Sequence, residues 1–140
     1  MQGLYFEDLS EGQSAEMTRV ASAAVVEAFA ELSGDVNPVH LDEDYARTTS
    51  FGGRIAHGML AGAYISAVIG TKLPGPGAVY LSQSLKFRRP VRIGDEVTAR
   101  VTVKELDARR GHVTLTTVCQ VGGKTVADGE AWIMVPRRPA

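Results

Sequence analysis

The residues best suited to chemistry lie in the segment Asp35-Val36-Asn37-Pro38-Val39-His40, followed 17 residues after His40 by His57 and then Gly58. Aspartate and histidine accept and return protons near neutral pH, so the pair Asp35 and His40 offers acid–base chemistry. On a regular helix, positions i and i+5 diverge, whereas a loop bent at Asn37-Pro38 can bring both side chains onto one water molecule. The same residues also suit a structural reading, in which Asp35 after Gly34 makes a turn and His40 acts as a local cap. Asn37 either makes the turn or uses its amide to hold the Asp35 carboxylate or the water. Gly58 opens a helix whose first turn has unpartnered N–H groups and a partial positive charge, the requirements of an oxyanion site; relief of crowding is the plainer alternative. His57, at the loop-to-helix junction, is read as orienting that turn rather than as a second base.

These groups need a scaffold, and 140 residues, 44% hydrophobic and 22% charged, suffice for one domain spanning 1–140. The lone Cys119 cannot form an intramolecular disulfide, and no Cys/His cluster supplies four zinc ligands. Fifteen basic against sixteen acidic residues leave a net charge of −1, which excludes the broad positive surface of a nucleic-acid binder. Glu7, Asp8 and Glu11 precede any long apolar run, unlike a secretory leader, so a cytoplasmic location is expected. Ile55 to Thr71 carries no Asp, Glu, Lys or Arg over 17 residues, the lower limit for a membrane span; with His57, Tyr64 and Ser66 inside it, it reads as a buried helix.

A first helix is expected from an N-cap at Ser22 to Gly34, with Val25, Phe29 and Leu32 on one face. A short acidic-started helix follows from Asp42 to about Thr48, and the uncharged helix ends at the Leu73–Gly77 segment, LPGPG. Beyond Ala78 the period becomes two. Val97, Ala99, Val101 and Val103 alternate with polar residues, and Val113, Leu115, Thr117 and Cys119 face the side opposite Thr114, Thr116 and Gln120, with Val118 breaking the pattern. Turns at Gly94-Asp95, Arg110-Gly111 and Gly122-Gly123 separate four antiparallel strands, and a fifth lies near Gln13–Val20. The expected architecture is α+β: an antiparallel sheet of about five strands wrapped around a long central helix that is apolar on every side. One helix cannot cover such a sheet completely, which points to a homodimer. The tail Pro136–Ala140 reads as a frayed end.

The order of D-x-N-P-x-H at Asp35–His40, I-A-H-G-M at Ile55–Met59, and FRRPVRIGDEV at Phe87–Val97 resembles the MaoC-like (R)-specific enoyl-CoA hydratases of the hot-dog fold, over nearly the whole chain. The resemblance implies addition of water across the 2,3 double bond of a short- or medium-chain trans-2-enoyl-CoA, giving an (R)-3-hydroxyacyl-CoA. No metal and no redox cofactor are implied, coenzyme A being part of the substrate. Fatty-acid metabolism and the supply of polyhydroxyalkanoate precursors form the implied setting. It makes Asp35 and His40 the catalytic pair, with Gly58 as backbone donor, Asn37 in support, and Ser66 at an active-site position, while His57 keeps the supporting role read from its place at the junction. This chemistry needs a base for water attacking C3, an acid for C2, and donors for the enolate-like thioester oxygen. Dehydration of a 3-hydroxyacyl-acyl-carrier protein, and hydrolysis by a hot-dog thioesterase, remain the alternatives.

Three features need separate weighing. Gly123-Lys124-Thr125 imitates the end of a phosphate loop, yet Val118 stands where the earlier glycine belongs, so a hairpin turn is expected. Asp35, His40, Asp42, Glu43 and Asp44 together suggest a metal site, but the acidic run also suits a helix N-terminus, and no metal is expected. Lys86, Arg88 and Arg89 are candidate contacts for the phosphates of coenzyme A, although ordinary strand-surface charge accounts for them equally well.

Overall fold

A computed structural model of the chain describes residues 2–140; Met1 of the expected domain lies outside the described residues. The first helix, α1 (Ala23–Ser33), begins and ends as its local chemistry dictates. Ser22 Oγ accepts the Val25 N–H at 3.2 Å, and Gly34 closes the last turn at φ 82°, in the left-handed region. Val26 and Ala30 are its buried residues, and Val25 and Phe29 of the expected face pack partly buried beside them; only Leu32, 85% exposed, departs from that face. Alanines at 23, 24, 28 and 30 fit either side, and packing rather than the large side chains decides the rotation.

The Asp35–His40 segment is not all loop. Asn37 Oδ1 accepts the Val39 N–H at 3.2 Å and caps a single turn, α2 (Pro38–Leu41), with Pro38 in its first position. Asp42 caps α3 (Glu43–Arg47) through the Tyr45 N–H at 3.1 Å, while Glu43 and Asp44 meet Arg47; the acidic run belongs to a helix start, as expected. The central helix, α4 (Gly58–Thr71), begins three residues later than Ile55. Ile55 is instead bridged to Arg92, and the Ala56 N–H donates to the Val91 carbonyl at 2.7 Å.

Six strands form, rather than five: β1 (Ser14–Val20), β2 (Val79–Gln83), β3 (Lys86–Phe87), β4 (Glu96–Asp107), β5 (His112–Val121) and β6 (Lys124–Met134). All pairs are antiparallel, in the order β1-β4-β5-β6-β2, with β3 also on β6. The extra strand arises because the run after Ala78 breaks at Ser84-Leu85. Gly122 and Gly123, at φ 57° and 78°, make the two-residue β5–β6 turn, whose geometry needs left-handed backbone at both positions. The alternating residues of β4 and β5 all point inward and are buried, including Thr117. They pack with Leu60, Ile65, Val68 and Ile69 of α4 into one hydrophobic core, which gives the α+β, sheet-around-helix arrangement.

Two expectations are corrected. The central helix is not surrounded: Met59, Ala63, Ser66 and Gly70 form an exposed stripe, because β1, β4 and β5 cover only its other side. The C-terminal tail is clasped rather than frayed. The Arg138 N–H donates to Glu7 at 2.7 Å, the Phe6 N–H donates to the Pro136 carbonyl at 2.8 Å, and Arg137 lies over the Phe6 ring. The Arg138 N–H, helped by Arg137, holds the Glu7 carboxyl below its ordinary range. Among the described residues no helix is long and apolar enough to cross a membrane.

Candidate active site

Asp35 follows the left-handed turn at Gly34 and its N–H donates to Ser33 Oγ at 3.1 Å, which ties the end of α1 to the segment leading into α2. The Asn37 N–H donates to Asp35 Oδ1 at 3.2 Å, so one carboxylate oxygen makes a turn and the other is left for a ligand. It is therefore the Asn37 backbone that holds Asp35. The side-chain amide expected for that task caps α2 instead, and the turn reading of Asn37 is the observed one.

His40 is buried, and its partner is remote rather than local: Nδ1 lies 2.8 Å from the Ile55 carbonyl oxygen. A carbonyl can only accept, so the proton sits on Nδ1 and Nε2 presents a lone pair. His57, also buried, packs face to face on His40, with ring centroids 3.9 Å apart and planes 28° apart. Its Nε2 donates to the Asp35 backbone carbonyl at 2.9 Å, leaving Nδ1 buried without a partner. His57 thus touches both members of the pair, which agrees with an orienting role. Asp35, His40 and His57 offer donor atoms that all lie within 4.8 Å of one another. Those three groups could in principle ligate a metal, but the imidazole lone pairs lie in nearly parallel planes and one nitrogen of each ring is already engaged. The arrangement is better suited to passing protons.

A cavity of about 310 Å³ opens beside His40, lined by His57, Gly58, Ala61, Phe87, Arg89 and other, mainly apolar, groups. Gly58 is the first residue of α4 and lines the cavity; no side chain caps that end of the helix, so its N–H has no helical acceptor. A Cβ on Gly58 would lie 3.0 Å from the Phe87 ring; the glycine allows the phenyl group to form the wall. Gly58→Ala is expected to keep the fold, since Ala suits a helix start, but to push the ring into the cavity. Turnover should fall about tenfold, as misplacement by about 1 Å costs up to ~10²-fold, with the melting temperature unchanged. Comparing kcat and thermal unfolding of the variant checks this; unchanged kcat would show that the ring does not bound the reacting region.

The remaining expected residues divide. Arg88 and Arg89 line the cavity, Arg88 pairing with Asp128 at 3.1 Å and Arg89 donating to the Thr125 carbonyl at 2.9 Å. Lys86, exposed on β3, does not line it, because alternation turns it away from Phe87. Ser66 lies about 12 Å along α4 from Gly58, on the exposed stripe, and the chain by itself does not bring it to the cavity. Cys119 is buried, and burial pushes its thiol up to about 12, which removes it as a nucleophile. Two residues were missed. Phe51 lines the cavity from the loop before α4, and Arg54 contacts the His40 backbone. The only signal for Arg54 was its place as the cation bounding the uncharged run.

Residues 7–124 match the family model described as the MaoC like domain. The chain belongs to the MaoC-like domain family. It is 58% identical over 134 residues to the (R)-specific enoyl-CoA hydratase of Rhodospirillum rubrum, covering 96% of this chain and 93% of the relative. The unliganded R-hydratase of Pseudomonas aeruginosa superposes with a TM-score of 0.92 at 47% identity, covering 97% of this chain and 88% of that one. The (R)-hydratase of Aeromonas caviae involved in PHA biosynthesis does so at 0.90 and 46%, covering 93% and 99%. The six-stranded MaoC-like chain therefore has the hot-dog architecture of these R-hydratases.

Proposed function

We propose that this MaoC-like chain is a hydro-lyase that adds water to short- or medium-chain trans-2-enoyl-CoA, giving (R)-3-hydroxyacyl-CoA, reversibly. The observation that carries the reading is the meeting of Asp35 with His40, which itself lines a mainly apolar cavity together with Gly58. Asp35 and His40 Nε2 hold one water. As its oxygen bonds to C3, the pair takes up a proton and returns one to C2, so the double bond is consumed and the charge is restored. The Gly58 N–H stabilises the negative charge that gathers on the thioester oxygen between these steps. Asn37 and His57 keep the pair in place. Arg89, with donors left beyond its Thr125 contact, and Arg88 are the candidates for coenzyme A phosphates. The 58% identity to an enoyl-CoA hydratase supports the same assignment, as does the part the Aeromonas caviae relative takes in PHA biosynthesis for a role in precursor supply. A cytoplasmic location fits these acyl-CoA substrates.

The test is loss of enoyl-thioester absorbance on adding the protein to crotonyl-CoA, followed by chiral identification of the product. The same assay with crotonyl-acyl-carrier protein separates the carrier-protein reading, and release of free thiol would identify a thioesterase. Hydration moves no electrons to an acceptor, and the side chains supply both proton transfers, so neither metal nor nicotinamide is required. Activity is expected to survive chelation. Loss after chelation, restored by a divalent ion, would revive the three-donor cluster as a metal site.

The protein acts as a homodimer in this reading. The exposed stripe of α4 and the edge strand β2, paired on one side only by β6 and with Val79, Tyr80 and Leu81 exposed, are the apolar surfaces that a second copy would cover. Ser66 lies on that stripe, so any part it takes in a site requires the second chain. Sedimentation at micromolar concentration should show roughly twice the chain mass; a monodisperse, fully active monomer would contradict the assignment.

A further inference from the structure

His40 sits on a single helical turn, and an isolated turn of four residues is far too short to be stable. What holds it is the extended segment 54–55, through three hydrogen bonds. His40 Nδ1 donates to the Ile55 carbonyl at 2.8 Å, the Ile55 N–H donates to the Val39 carbonyl at 3.3 Å, and Arg54 Nε donates to the His40 carbonyl at 2.7 Å. The last is the one to which the 54–55 segment contributes a side chain. The Arg54 side chain is only 14% exposed, its Nη2 is buried without a hydrogen-bond partner, and the nearest carboxylate, Glu27 on α1, stands 4.0 Å away. A buried guanidinium is costly unless its donors are used, and the bond it does make ends on a backbone carbonyl of the turn that bears the imidazole. A cation at that end of a helix also suits the exposed carbonyls.

We propose that Arg54 is a positioning residue for the reaction: through its Nε–H bond to the His40 carbonyl it sets the direction in which His40 Nε2 points. The inference rests on the hydratase reading of the Asp35–His40 pair. Arg54 touches no substrate; it fixes the backbone of α2 while Ile55 fixes the ring, and together they leave the imidazole one orientation. The bond, rather than the charge, is the operative feature.

Two substitutions separate bond from charge. In Arg54→Gln the amide nitrogen falls at the same number of bonds from Cα as Nε, so the donor is kept and the charge is lost. In Arg54→Lys a methylene falls there, so the charge is kept and the bond is lost. The expected result is that Arg54→Lys lowers kcat on crotonyl-CoA by about 10–100-fold. Its KM should stay within about twofold, and Arg54→Gln should hold kcat within about threefold of the parent. The imidazole Nδ1–H proton resonance of His40, protected by Ile55 in the parent and in Arg54→Gln, should broaden or vanish in Arg54→Lys. A Lys variant as active as the Gln variant, or more so, overturns the proposal, as does equal loss in both, whether of turnover or of folded protein. If the parent itself fails to hydrate crotonyl-CoA, the reaction assignment fails; the Nδ1–H resonance still decides whether Arg54 orients His40.

Discussion

Asp35→Asn is expected to lower the turnover of enoyl-CoA hydration by about 10²–10⁴-fold, the usual contribution of a general acid or base. The replacement keeps an oxygen for the Asn37 N–H, so the turn that carries the residue should survive, and the residue is exposed. Only the capacity to take and return a proton is lost. His40→Asn should cost as much in turnover. Its amide nitrogen occupies the place of Nδ1 and still donates to the Ile55 carbonyl, but nothing replaces Nε2. Because His40 is buried and stacked on His57, a modest fall in stability should accompany the second change, on the order of 1 kcal/mol. The double variant should lose far less than the product of the single effects, since groups acting on one water fail as a unit. Steady-state kinetics on crotonyl-CoA, with melting curves as control, read all three. Parent-like turnover in folded Asp35→Asn would sink the mechanism.

Gly129→Ala is the substitution with the largest expected effect on the fold. Gly129 lies on β6 opposite Ser84, between the stretches of β6 that pair with β2 and with β3, and a Cβ there would collide with the Ser84 carbonyl oxygen and stand 2.6 Å from its carbon. A flexible side chain could swing aside, but Ser84 is pinned: its N–H donates to the Glu130 carbonyl at 2.9 Å and its Oγ accepts the Glu130 N–H at 3.0 Å. Relief therefore means unzipping one edge of the sheet. Overpacking typically costs about 1–3 kcal/mol, and a backbone clash of this depth places the variant at or beyond that upper end. Thermal or urea unfolding measures the loss; a melting temperature equal to the parent's would show that Ser84 does not pack against Gly129 as described. Because β3 and Phe87 follow directly after Ser84 on the same edge of β6, cavity geometry should suffer as well.

Much of this was legible locally. Ser22 and Gly34 bound α1 because capping involves groups three or four residues apart, and Asp42 starts α3 for the same reason. The alternation of Val97–Val103 and Val113–Cys119 assigned strands and buried faces, since a strand's side chains must point to opposite sides. Asp35 and His40 were legible as a candidate pair from residue type, the bend at Asn37-Pro38 and the family resemblance, but that their side chains converge, with donor atoms within 4.8 Å, was not. Everything that depends on partners distant in sequence was not. The His40 ring could be oriented only once Ile55, Arg54 and His57 were in place, 14 to 17 residues away. The split of β2 from β3 waited on Gly129, the tail's clasp on Glu7, and the open stripe of α4 on which strands reach it. Periodicity reports that a face is apolar, not what covers it: the hydrophobic effect is non-directional, and the geometry of the assembled sheet alone decides which apolar surface of α4 is buried and which is left for a second chain.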